Sequence, residues 1–112
     1  MPTKEELFES FAKMVSKMED PKYKERFVNF NRTLQFHFTD DEEATCHIVF
    51  ESGTATLKDG IADSPELVIT TTTEVITNIM NGTLGPTRAF MGGKLKAKGA
   101  MKDLLKLQVL MK

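Results

Sequence analysis

His37 and His47 are the two histidines of this chain, and Cys46 is its one cysteine. Imidazole and thiol together are the raw material of a metal site or a nucleophile, so their spacing comes first. Leu34, Phe36 and Phe38 alternate with Thr33, Gln35, His37 and Thr39, the period of a half-buried strand. Cys46, Ile48 and Phe50 alternate with Thr45, His47 and Val49 in a second such strand. A hairpin turning at the acidic run Asp40 to Glu43 sets the histidines across or diagonal from each other. Cys46 then points to the opposite face, which leaves two ligands where a closed metal site needs three or four. Two polar-face histidines and a cysteine packed as core are the expectation, with no metal and no cofactor. The acidic turn reads as solvated.

The other chemical patterns also fall short. Phe90-Met91-Gly92-Gly93-Lys94-Leu95 has the wrong glycine spacing for a phosphate loop, and Leu95 stands where a Ser or Thr would hold magnesium. Lys94, Lys96 and Lys98 form a basic row, but no aromatic residue interleaves with them, so the stacking half of a nucleic-acid site is missing. No serine sits in a nucleophile elbow. These absences argue against an enzyme and against a nucleic-acid partner.

The elements that carry these residues are legible from periodicity. Thr3 with Glu6 is a capping box, and Leu7, Phe8, Phe11, Met14, Val15 and Met18 follow at helical spacing, predicting a helix over 4–18. Asp20-Pro21 breaks it and opens a short helix over 21–29. The hairpin strands extend through Ser52-Gly53 into a third strand that ends at Asp59-Gly60, a three-strand antiparallel meander. Residues 66–71 read as a fourth strand. A helix with Val75, Ile76, Ile79 and Met80 follows, capped by Thr71 or Thr72, and Thr71 with Glu74 matches a second capping box. Gly85-Pro86 opens a helical turn over 87–91, Lys94 to Lys98 form a fifth strand, and 100–111 a last helix. Without a repeat or linker, the chain reads as one α+β domain over residues 1–112.

Charge is distributed unevenly along these elements. Residues 1–74 carry a net −7 and residues 75–112 a net +6. Such asymmetry suits an anionic group near the second part, or two solvated faces that balance. One cysteine, no long apolar run and no signal-type start lead to the expectation of a cytoplasmic protein. Leu110-Met111-Lys112 is not a peroxisomal address.

The surplus lies in the last helix. Met101, Leu104, Leu105, Leu107, Val109, Leu110 and Met111 occupy most of its circumference, although a helix on a small sheet needs an apolar stripe of roughly 100°. The extra surface must face a second layer, a partner, a bilayer surface or an apolar ligand.

The second half also resembles a known family. Leu67-Val68-Ile69-Thr70, a helix ending Ile79-Met80-Asn81-Gly82, then Thr83-Leu84 and the run from Ala89 through Gly92-Gly93-Lys94-Leu95-Lys96 to Gly99 are similar to the sterol carrier protein type 2 family, over residues 65–110. The first half agrees in layout rather than in wording. The resemblance implies a five-stranded, largely antiparallel sheet covered by about five helices around an apolar tunnel. It implies non-catalytic binding or transfer of a fatty acid, fatty acyl-CoA, phospholipid or sterol, alone or as a module of a lipid-handling enzyme. Carried onto matching positions, it nominates Ile76, Ile79, Met80, Phe90, Met91, Met101, Leu104, Leu105 and Leu107 as cavity-lining residues. Arg88, Lys94, Lys96 and Lys98 are the candidate cations for a head group at the mouth. Transient contact with a membrane surface and a homodimer are compatible with this. The alternative is a protein-interaction or dimerisation module that uses the apolar C-terminal helix.

Overall fold

The computed structural model describes residues 2–111. Helix α1 (Lys4–Ser16) begins at the expected capping box: Glu6 N donates to Thr3 Oγ1 at 3.2 Å, and Thr3 N donates to Glu6 Oε1 at 3.0 Å. It buries Leu7, Phe11 and Met14 on one face. The helical run stops short of the predicted residue 18 because its last turn tightens to a 3-10 turn, Lys17–Glu19, which sinks Met18 into the core. Asp20 then accepts from Lys22 N and caps α2 (Pro21–Phe27), with Pro21 in the first turn.

The meander forms as its alternation requires. Strands β1 (Arg32–Phe38), β2 (Cys46–Glu51) and β3 (Thr54–Asp59) pair antiparallel, Phe36 opposite Cys46 and Ile48 opposite Leu57. The chain then crosses back. Strand β4 (Leu67–Thr71) lies parallel to β1, Leu34 opposite Leu67, and β5 (Lys96–Lys98) closes the far edge antiparallel to β4. The order is β3-β2-β1-β4-β5, a five-stranded sheet with one parallel pair. The crossover from β3 to β4 is stitched to the outer sheet face by polar contacts. His47 Nδ1 donates to Gly60 O at 2.9 Å, Ala62 N to Gln35 Oε1 at 2.9 Å and Thr33 N to Glu66 Oε1 at 2.7 Å.

The opposite sheet face is the core. Leu34, Phe36, Phe38, Cys46, Ile48, Phe50 and Leu67 are almost fully buried against helical side chains, with the Phe11 and Phe36 rings 4.6 Å apart. Each such side chain removed from water contributes about 1.5–3 kcal/mol. Helix α3 (Thr73–Met80) adds Ile76 and Ile79 to this core. Its cap is Thr72, whose Oγ1 accepts from Val75 N. Thr71 is not the cap and makes no capping box with Glu74; it is still in β4, and its hydroxyl donates to Lys94 O at 2.9 Å.

The acidic turn is open to solvent at Asp40, Glu42 and Glu43, as expected, but Asp40 also holds the start of α3, accepting from Thr73 Oγ1 at 2.6 Å and Thr73 N at 2.9 Å. Burial works to raise the Asp40 carboxyl, but these bonds outweigh it and hold it below the usual carboxylate range. Helix α4 (Pro86–Met91) follows, and α5 (Met101–Leu107) gives way to a 3-10 turn at Gln108–Leu110, so the last helix is shorter than the predicted 100–111.

Candidate functional site

The chemical candidates separate. Residue pairing sets His47 opposite Gln35, so His37 lies on the diagonal, and His47 is engaged by the crossover. Cys46 lies on the other face, fully buried, and burial pushes its thiol up to about 12, so at neutral pH it is an uncharged core group. Among the described residues no three His, Cys, Asp or Glu side chains are grouped to hold a metal ion.

The apolar surplus converges instead. Helix α4 is anchored by buried Ala89, which turns Phe90 and Met91 outward, 41% and 79% exposed. Gly92 stops the helix, its N–H bonding to Arg88 O, and the chain enters β5 with Leu95 and Ala97 facing inward while Lys96 and Lys98 face solvent. Gly99, at φ +130°, then turns the chain into α5. Only glycine serves there: a Cβ would meet Leu67 Cδ2 and, at 2.8 Å, Glu66 O. Helix α5 buries Asp103 and Leu107, half-buries Leu104, and leaves Met101 and Leu105 each 54% exposed.

Between α4, the β4–β5 edge and α5 lies a cavity of about 230 Å³. Its floor is Ile69, Leu95 and Ala97, and its walls are mainly Phe90, Met91, Met101, Leu104, Leu105 and Leu107, with Met111 at one end. The polar side chains on its border are Thr87 and Gln108, joined by a hydrogen bond from Gln108 Nε2 to Thr87 Oγ1 at 2.9 Å. Among the described residues no charged side chain contributes to it. The wall formed by α5 and the turn after it is held from the side by contacts of charged side chains. Arg32 Nε lies 3.0 Å from Asp103 Oδ2, Lys106 Nζ stands 5.4 Å over the Phe27 ring, and Lys17 Nζ donates to Leu110 O at 3.1 Å.

Six of the nine nominated apolar residues thus border one cavity. Ile76 and Ile79 do not: α3 turns them into the closed core, at 0% and 1% exposure. Met80 borders a different cavity, next to α1. The nominated cations Arg88, Lys94, Lys96 and Lys98 are exposed and stand outside the lining. Ile69, Leu95 and Ala97 were not nominated, although their alternation with Thr70, Lys96 and Lys98 marks an inward sheet face. Met111 belongs to the apolar surplus of the last helix, whereas Gln108 and Thr87 carry no such signal, because only the fold brings α4 alongside the end of α5.

The comparisons with known proteins agree with this architecture. Residues 11–112 match the SCP-2 sterol transfer family. Over 50 residues the chain is 44% identical to human Hydroxysteroid dehydrogenase-like protein 2, a match that covers 45% of this chain and 12% of that protein. The chain therefore aligns with about an eighth of its curated relative's length. Among solved structures, it is similar to the sterol carrier protein domain 2 of Helicoverpa armigera, with a TM-score of 0.74 at 20% identity, covering 96% of this chain and 85% of that one. It is also similar to sterol carrier protein-2 of Aedes aegypti, solved in complex with palmitate, with a TM-score of 0.69 at 20% identity, covering 99% and 96%. These structures establish a shared fold. With the family match running over nearly the whole sequence, this chain belongs to the SCP-2 sterol transfer family.

Proposed function

We propose that this chain binds and carries an apolar lipid, without chemistry, in the cavity between α4, the β4–β5 edge and α5. The observation that carries the reading is an almost wholly apolar wall around unfilled space, beside a continuous buried core. Each methylene transferred from water to such a wall contributes about 0.8 kcal/mol, so an acyl chain of a dozen carbons outweighs the cost of association. Family membership supports the reading, as does the palmitate held by the Aedes aegypti protein of the same fold. Phe90, Met91, Met101, Leu104, Leu105 and Leu107 are the proposed contacts. Arg88, Lys94, Lys96 and Lys98 stand outside the lining and act only on a head group that projects from the mouth.

Titration with saturated fatty acids of increasing length tests this. Affinity should rise about fourfold per methylene until the space is filled, with weak dependence on salt. An affinity independent of chain length would overturn it. A second reading, in which another copy of the chain covers the open side of the cavity, is favoured by the exposure of Met91, Met101 and Leu105. Size-exclusion chromatography separates the two: that reading requires a stable dimer with no copurified lipid.

A further inference from the structure

The apolar cavity has a neighbour. A second one, of about 350 Å³, lies across the C-terminal turn, between that turn, α1 and α3. Met14, Met80 and Leu110 supply its apolar part, and Lys13 and Thr77 contribute to its polar border. Among the described residues, Met111 alone borders both. It is 5% exposed and follows the 3-10 turn, its N–H donating to Gln108 O at 3.1 Å. The apolar cavity by itself falls below the roughly 300–1,000 Å³ typical of ligand sites, and the two joined fall within that range.

Resting on the lipid-binding reading above, we propose that Met111 is a movable partition that sets the length of apolar chain the site accepts. A thioether side chain is unbranched and re-packs at little cost, so it can swing aside where a β-branched residue would not. The passage it leaves is one side chain wide. It admits a single unbranched acyl chain and excludes a fused-ring ligand. A short chain stays among the α4 and α5 residues. A long one displaces Met111 and runs on to Met14 and Met80.

Two experiments test this on the intact chain. In the first, methionine methyl NMR follows octanoate and stearate. Octanoate should shift the Met91 and Met101 methyls and leave Met14 and Met80 unmoved; stearate should shift all four and Met111. In the second, the fatty-acid length series is titrated against Met111→Ala and Met111→Phe, with thermal melting to show that each is folded. The alanine variant should extend the rise of about fourfold per methylene to longer chains, and the phenylalanine variant should end it earlier. Met14 and Met80 methyls unmoved by every chain that binds, or three identical length profiles, would overturn the partition while leaving lipid binding intact. Failure of the wild-type chain to bind any length would overturn both.

Discussion

Arg32 Nε, at the first residue of β1, sits 3.0 Å from Asp103 Oδ2 in the first turn of α5. The pair joins two elements 71 residues apart in sequence and draws a nearly buried carboxylate, 11% exposed at its side chain, against the sheet. It fixes the start of the helix that walls the cavity. Replacing Arg32 with Ala strands that carboxylate without its partner. The expected loss is about 1–3 kcal/mol in chemical denaturation, with Asp103→Asn costing less because its amide keeps an acceptor for Arg32.

Asp40 predicts the acid limb of stability. Its carboxyl is held below the usual range by Thr73, so the folded state binds the Asp40 proton less readily than the unfolded state does. The stabilisation is therefore fully present above the unfolded value of 3.8 and is lost as pH falls through the lower, folded value. Asp40→Ala also removes the tether at the start of α3, at a cost of about 1 kcal/mol near neutral pH. Thermal melts against pH should show a shallower acid limb for the variant than for the parent chain.

Gly99 is the joint between β5 and α5, at a φ that L side chains rarely adopt and with Leu67 and Glu66 closed around it. Gly99→Ala is expected to cost about 2–3 kcal/mol, through both strain and overlap. A parallel Gly93→Ala control also has positive φ but open space around its added Cβ. It should cost less, which would separate backbone strain from crowding in urea denaturation.

Leu105 separates binding from folding. Because it is 54% exposed, Leu105→Glu should change stability by no more than about 0.5 kcal/mol. Yet it brings a carboxylate to a wall whose described residues are uncharged, and fatty-acid affinity should fall about tenfold or more. Leu107→Glu, at 2% exposure, should instead unfold the chain. Paired calorimetry and thermal melts distinguish these outcomes.

Much of the architecture was legible residue by residue. The Thr3–Glu6 box, the alternation of Leu34, Phe36 and Phe38, and the break at Asp20-Pro21 are local rules, and local structure follows them. What local rules leave open is decided by distant partners. Asp40 reads as one of four acidic turn residues until Thr73 is brought beside it. Thr71 and Thr72 are equivalent caps on paper, and only the extension of β4 assigns the role to Thr72. Ile76 and Ile79 have the same apolar chemistry as Leu104 and Leu105, and nothing in their spacing tells core from cavity wall.

The amino-acid order by itself determined the elements, their polar and apolar faces, and the excess of apolar side chains in the last helix, because periodicity and capping act over a few residues. The tertiary structure decided where that excess faces. Placing β4 parallel to β1 moves β5 to the far edge, and with it α5 to a position opposite α4. That pairing depends on a crossover held by Gln35, His47 and Glu66, contacts between residues remote in sequence that no local pattern encodes.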